Sequence, residues 1–102
     1  MKLNEFLPVG SVVLLKNAQK KLIIIGYMPV RQGESGETVV FDYLGTVYPE
    51  GFLRQELSVL FNHNMIEKVI FSGYHDEERV VFVDAIQKIM DKTDQVIGET
   101  GM

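Results

Sequence analysis

The sequence contains no cysteine. That absence excludes thiol catalysis, cysteine-based zinc sites and disulfides, and it fits a reducing compartment. Histidine is scarce, with two in 102 residues, and neither has a second histidine three or four positions away to make a metal-ligand pair. No Gly-x-Ser-x-Gly elbow, phosphate loop or dinucleotide fingerprint occurs, so enzyme activity is not expected. No apolar run is long enough to span a bilayer. At the N-terminus Glu5 and Pro8 interrupt any signal-peptide core, which predicts neither export by that route nor membrane insertion, and hence a cytoplasmic protein. A basic surplus is also missing. The formal net charge is −4, which argues against steering toward a polyanion by the chain as a whole. No internal repeat or low-complexity segment is present.

What is present reads as one small α+β domain. Hydrophobic residues make up 46% and charged residues 24%, an ordinary globular balance. A chain of this length buries roughly 60–65% of its unfolded surface and folds without staples. Residues 1–93 are expected to form the domain and residues 94–102, with two glycines, a flexible tail.

Phe6 to Gly10 reads as a lead-in covering one end of the core. Ser11–Lys16 and Lys21–Tyr27 are apolar runs without alternation, which predicts strands covered on both faces, as in a small barrel or a sheet capped by a helix. Their four-residue link, Asn17 to Lys20, requires an antiparallel hairpin, and Gly26 marks a bulge or bend. Arg31–Glu37 is a polar hairpin loop, followed by a third strand over Thr38–Leu44. Glu56–Phe61 is either a short strand or a helical turn, and Asn62 can cap a single turn after it. Lys68–Tyr74 is the last strand. Asp76 caps a helix running to about Thr93, with an apolar stripe of Phe82, Val83, Ile86, Ile89 and Met90 opposite Glu77, Asp84, Gln87, Lys88 and Asp91. Val80 and Val81 fall outside that stripe. Either they make a second small contact, or Arg79–Val83 is extended and a shorter helix begins at Asp84; continuity of the stripe through Met90 favours the long helix.

The stretch from Tyr43 to Phe52 joins the two halves of the predicted sheet. Pro49 suits the second position of a turn and Gly51 the positive-φ position that ends it. Tyr43, Tyr48 and Phe52 either present an aromatic surface to a protein partner or pack inward, which a small domain that needs its aromatics for the core favours. Asp42 interrupts an apolar strand; it is an acid/base candidate only with a second group in a pocket, and it otherwise points to solvent. His75 beside Asp76, Glu77 and Glu78 reads as an acid-rich helix start rather than a metal site. Lys16, Lys20 and Lys21 flank the first hairpin turn, where a basic patch for nucleic acid competes with a plain solvated tip.

The ordered set Leu7-Pro8-Val9-Gly10-Ser11-Val12-Val13, Lys20 to Gly26, Asp42-Tyr43-Leu44-Gly45, Tyr48-Pro49-Glu50-Gly51, Phe61-Asn62-His63 and Val69 to Tyr74 resembles an uncharacterised domain-of-unknown-function family of small Gram-positive bacterial proteins. Members are often encoded beside type VII (ESX-like) secretion components and LXG-type toxins. The resemblance covers about residues 7–90. Thr46-Val47 and Val80-Val81 depart from its pattern, and the latter raises the question of a partner at that face. The family has no established catalytic residues, so none carries over. The resemblance implies a non-enzymatic accessory, adaptor or chaperone-like protein that binds a secretion component or secreted toxin, without cofactor or metal, and able to form a homo-oligomer. The candidate binding residues are Tyr43, Tyr48, Pro49, Glu50, Gly51, Phe52, Val80 and Val81. The alternatives are a nucleic-acid-binding small barrel and a toxin-immunity protein.

The expected fold is therefore a curved antiparallel sheet of about five strands, open or closed like a small barrel, with one C-terminal helix packed on it.

Overall fold

The computed structural model describes residues 3–99. The chain divides into two compact units, Leu7–Tyr74 and the pair of segments Met1–Phe6 and His75–Met102.

The first unit is built on five antiparallel strands. They are Val12–Leu15 (β1), Leu22–Tyr27 (β2), Tyr43–Val47 (β5), Val59–Phe61 (β6) and Ile66–Phe71 (β7), in the spatial order β6-β5-β2-β1-β7. A second, two-stranded sheet pairs Val30–Gln32 (β3) with Thr38–Val40 (β4). The fold is α+β as expected, but the main sheet is open: β6 and β7 are edges that do not pair with each other, so no barrel closes.

The β1–β2 hairpin forms where the short polar link required it. Asn17 turns the chain with φ 62°, a left-handed conformation that asparagine tolerates better than most residues. Along β2 the burial alternates, with Leu22 and Ile24 inside and Ile25 exposed. The apolar run is thus not covered equally on both faces. The β2–β5 ladder shifts register between Ile24 and Gly26, so the bend expected at Gly26 is a bulge. Val13, Leu22, Ile24, Tyr43 and Phe61 form the buried apolar core of this unit.

The third predicted strand, Thr38–Leu44, is in fact two. Beyond the Tyr27–Tyr43 pair, Met28 N–H donates to Asp42 C=O (3.0 Å) and Phe41 N–H to Pro29 C=O (2.9 Å). The ribbon then continues as β3 and β4, with Val30 opposite Val40. At the break Met28 has φ 58°, an uncommon conformation for a side chain of this kind. Asp42 leaves the strand there because its backbone and side chain are bound elsewhere, as described below.

Two glycines of the core are required by close approach. A Cβ at Gly45 would sit 2.9 Å from a Phe61 ring carbon and 3.3 Å from Ile23 C=O. At Gly73 it would lie 2.5 Å from Val9 C=O and 2.9 Å from Ser11 N. Ser11, fully buried, ties that corner together: its hydroxyl donates to Pro8 C=O (2.7 Å) and accepts from Gly73 N–H (2.9 Å).

The second unit holds one long helix, Glu77–Glu99 (α1), and a 3₁₀ turn at Leu3–Glu5 lying against it. Asp76 caps the helix as expected, its Oδ1 accepting from Arg79 N–H at 3.1 Å. Arg79–Val83 is helical, so the extended alternative does not apply. At the other end the helix continues past Thr93 to Glu99. Residues 94–99 of the expected tail are therefore helical, and residues 100–102 lie outside the described residues.

The buried face of α1 is rotated from the predicted stripe. Val83 is buried and Ile86 and Met90 half-buried, whereas Phe82 and Ile89 are exposed. Gln87, expected on the solvent side, accepts Leu3 N–H at its Oε1 (2.7 Å), and Arg79 Nη2 donates to Phe6 C=O (2.7 Å). Both long polar side chains satisfy backbone groups of the N-terminal turn. Leu3 and Phe6 are buried.

The charge divides unevenly. Residues 7–74 carry six bases and six acids, so the net −4 belongs to the remaining residues, where eight acids meet four bases.

Candidate functional site

The polar residues that the sequence scatters over 36 positions converge on one tyrosine. Leu7 N–H donates to Tyr43 Oη (3.0 Å), Tyr43 Oη lies 2.8 Å from His63 Nδ1, and Tyr27 Oη–H donates to Leu7 C=O. The Tyr43 hydroxyl thus ties the Leu7 backbone and the His63 ring together. Asp42 Oδ2 accepts His63 N–H (2.8 Å), while Asp42 N–H donates to Asn62 Oδ1 (3.0 Å). Tyr43 also stacks on Phe61, with ring centroids 5.3 Å apart.

This network is structural in form. Asp42 is half-buried and bound to backbone rather than pointing freely to solvent, and Asn62 binds Asp42 instead of capping the 3₁₀ turn His63–Met65 that follows it. The sequence signal for it was weak. Asp42 and the Asn62-His63 pair are each ordinary loop residues, and only the 20-residue hairpin closure brings them together.

Five residues beyond Tyr43 the environment inverts. Tyr48 is 44%, Phe52 59%, Leu53 63% and Leu57 40% exposed. The inward packing favoured by composition therefore applies to Tyr43, which is fully buried, and not to Tyr48 or Phe52. This connection is nonetheless held firmly. Tyr48 N–H donates to Lys21 C=O (3.0 Å), and Gly51 N–H closes back on Val47 C=O (2.8 Å) with φ 77° at Gly51. The Tyr48–Pro49 peptide is cis, and Gly51 holds the positive φ expected of it.

Lys20 and Lys21 belong to the same assembly. Lys20 Nζ contacts both Glu50 oxygens, at 2.7 and 2.9 Å. That hydrogen bond holds the Glu50 carboxyl below its ordinary pKa, helped by a backbone hydrogen bond. Lys21 Nζ lies 5.7 Å from the Tyr48 ring centroid. Two of the three lysines considered as a nucleic-acid patch are thus engaged with the turn.

On α1, Val80 and Val81 are both exposed, as are Phe82 and Ile89. A recess of about 600 Å³ runs along the helix past His75, Arg79, Val83 and Gln87. His75 is an exposed residue whose Nδ1 lies 3.3 Å from Arg79 Nη1. Among the described residues no group of three or more His, Asp or Glu side chains is placed to hold a metal ion. No helix among them is long and apolar enough to cross a membrane.

Comparison with known proteins gives one match. The family model of a domain of unknown function, DUF4176, aligns with residues 6–82. No curated protein and no solved structure matches the chain.

Proposed function

The chain belongs to the DUF4176 family, and from that premise we propose that it is a non-enzymatic protein-binding module. The observation that carries the reading is the exposed apolar group Tyr48, Phe52, Leu53 and Leu57 on a tightly bound connection. Aromatic side chains on a pre-organised loop lose little entropy on docking and make the strongest interface anchors.

The partner class rests on the sequence resemblance described above. It is a type VII secretion component or a secreted toxin, which the protein serves as adaptor or chaperone-like accessory in the cytoplasm of a Gram-positive bacterium. A direct immunity role is separated by co-expression: an inhibitor rescues cells from the toxin, an adaptor does not. The test is affinity capture from cells holding the neighbouring locus. Recovery of a secretion or toxin component by the natural protein, and its loss with Phe52→Asp, supports the proposal. Recovery of no such component by the natural protein removes it.

A further inference from the structure

The inner face of α1 already holds a short peptide segment, the chain's own. Leu3–Glu5 lies against the helix as a 3₁₀ turn, and Leu3 and Phe6, three positions apart, are both buried. Glu5, between them, is exposed. Two helix side chains bind the backbone of this segment: Gln87 Oε1 accepts Leu3 N–H and Arg79 Nη2 donates to Phe6 C=O, each at 2.7 Å. Arg79 and Gln87 stand eight residues apart, about 12 Å along the axis, so the segment runs in the direction opposite to the helix. Apolar anchors at positions i and i+3, with the backbone bound at both ends, are how grooves take up short segments of other proteins. The recess of about 600 Å³ along α1 is lined by the same Arg79 and Gln87, with buried Val83 between them, so open space adjoins the side chains that hold the segment.

We infer that this groove of α1 is a receptor for a short segment of a partner protein with a leucine-like residue and an aromatic residue three positions later, and that Leu3–Phe6 is a strap displaced by it. The chemistry of the partner follows from the strap, which shows what the groove accepts. Exchange is local. The strap is tied to α1 by long side chains rather than by a strand ladder, and Gln87 has a second contact of its own, donating to Asp91 at 2.9 Å. Beyond the strap, Leu7 is held separately, its N–H by Tyr43 and its C=O by Tyr27, so release can stop there. An occupant on the same chain competes at high effective concentration, and a partner meets only the open fraction of molecules. The strap therefore sets the affinity of the groove. The inference rests on the reading of the chain as a protein-binding module, and it adds a regulated surface distinct from the Tyr48–Phe52 connection.

The probe is a fluorescent synthetic peptide copying residues 2–9, titrated against the full chain and read by anisotropy. Leu3→Asp, which loosens the strap, is expected to bind it about tenfold more tightly or better than the natural chain does. Adding Gln87→Ala to that variant is expected to reduce the gain, and a peptide with aspartate in place of its first leucine and its phenylalanine not to bind. Equal binding by the natural and Leu3→Asp chains, or of the two peptides, overturns the inference. So does absence of binding to a Leu3→Asp chain that keeps the natural circular dichroism. If Leu3→Asp loses the helix, the natural chain decides: excess peptide is expected to remove the hydrogen-exchange protection of the Leu3 amide, and unchanged protection overturns the inference. If the peptide results are negative while capture through Phe52 persists, the strap inference fails and the module reading stands; if capture is also absent, both fall.

Discussion

Tyr43 and Tyr48 stand five residues apart, on a strand and on the turn that leaves it, and they illustrate two uses of one side chain. Tyr43 is fully buried, stacked on Phe61, and its hydroxyl accepts from Leu7 N–H and shares a hydrogen bond with His63 Nδ1. Tyr48 is almost half exposed and contributes its backbone N–H and the face of its ring to a surface assembly. The first tyrosine organises the interior; the second is displayed. The boundary between them is Gly45 to Val47, where Gly45 lets the Phe61 ring approach and Thr46 is still buried.

The strongest way to break this contrast is to remove the inner half. Phe61→Ala takes away the ring stacked on Tyr43, and a loss of about 3–5 kcal/mol of unfolding free energy is expected from chemical denaturation. Tyr43→Phe keeps the ring but leaves the Leu7 N–H and His63 Nδ1 without their buried partner, for a loss of about 1–3 kcal/mol. In the natural protein, ¹⁵N shifts of His63 are expected to show Nδ1 in a hydrogen bond, and that signature to disappear in Tyr43→Phe. In the outer half, Phe52→Asp is expected to change stability by less than about 0.5 kcal/mol, as an exposed substitution does, while abolishing partner capture. If instead it unfolds the protein, the connection belongs to the core and the contrast disappears.

The smallest effect concerns the clamp. The folded state depresses the Glu50 carboxyl, so the stabilisation from its contact with Lys20 is present above the ordinary glutamate range and is lost as pH falls through the lowered value. A carbon-detected titration of Glu50 is expected to show that depressed midpoint, and Lys20→Ala to return it toward the ordinary range. No change on losing Lys20 would assign the depression to the backbone contact alone.

What the sequence made legible was local. The β1–β2 hairpin follows from a four-residue link, the Asp76 cap from a side chain placed one residue before its helix, and the Gly26 bulge from a glycine within an apolar run. What it concealed depended on distant partners. Nothing near Asp42 announces that Asn62 and His63 will claim it and break the strand. The buried face of α1 is rotated because Gln87, expected on the solvent side, and Arg79 are drawn to Leu3 N–H and Phe6 C=O. The two tyrosines are the sharpest case. Composition could rank them only as aromatics near a turn; Tyr43 lies inside, stacked on a Phe61 ring that Gly45 lets approach, whereas Tyr48 lies on the turn beyond that contact.

The strand β7 ends the sheet with Val69, Ile70 and Phe71 exposed and one flank of its backbone without a neighbouring strand. Such a margin is a template for stacking chain upon chain. Against this stand Glu67 and Lys68 within the strand and the two register shifts in its pairing with β1. Replacing both by valine is therefore expected to increase association of the protein at high concentration, read by light scattering.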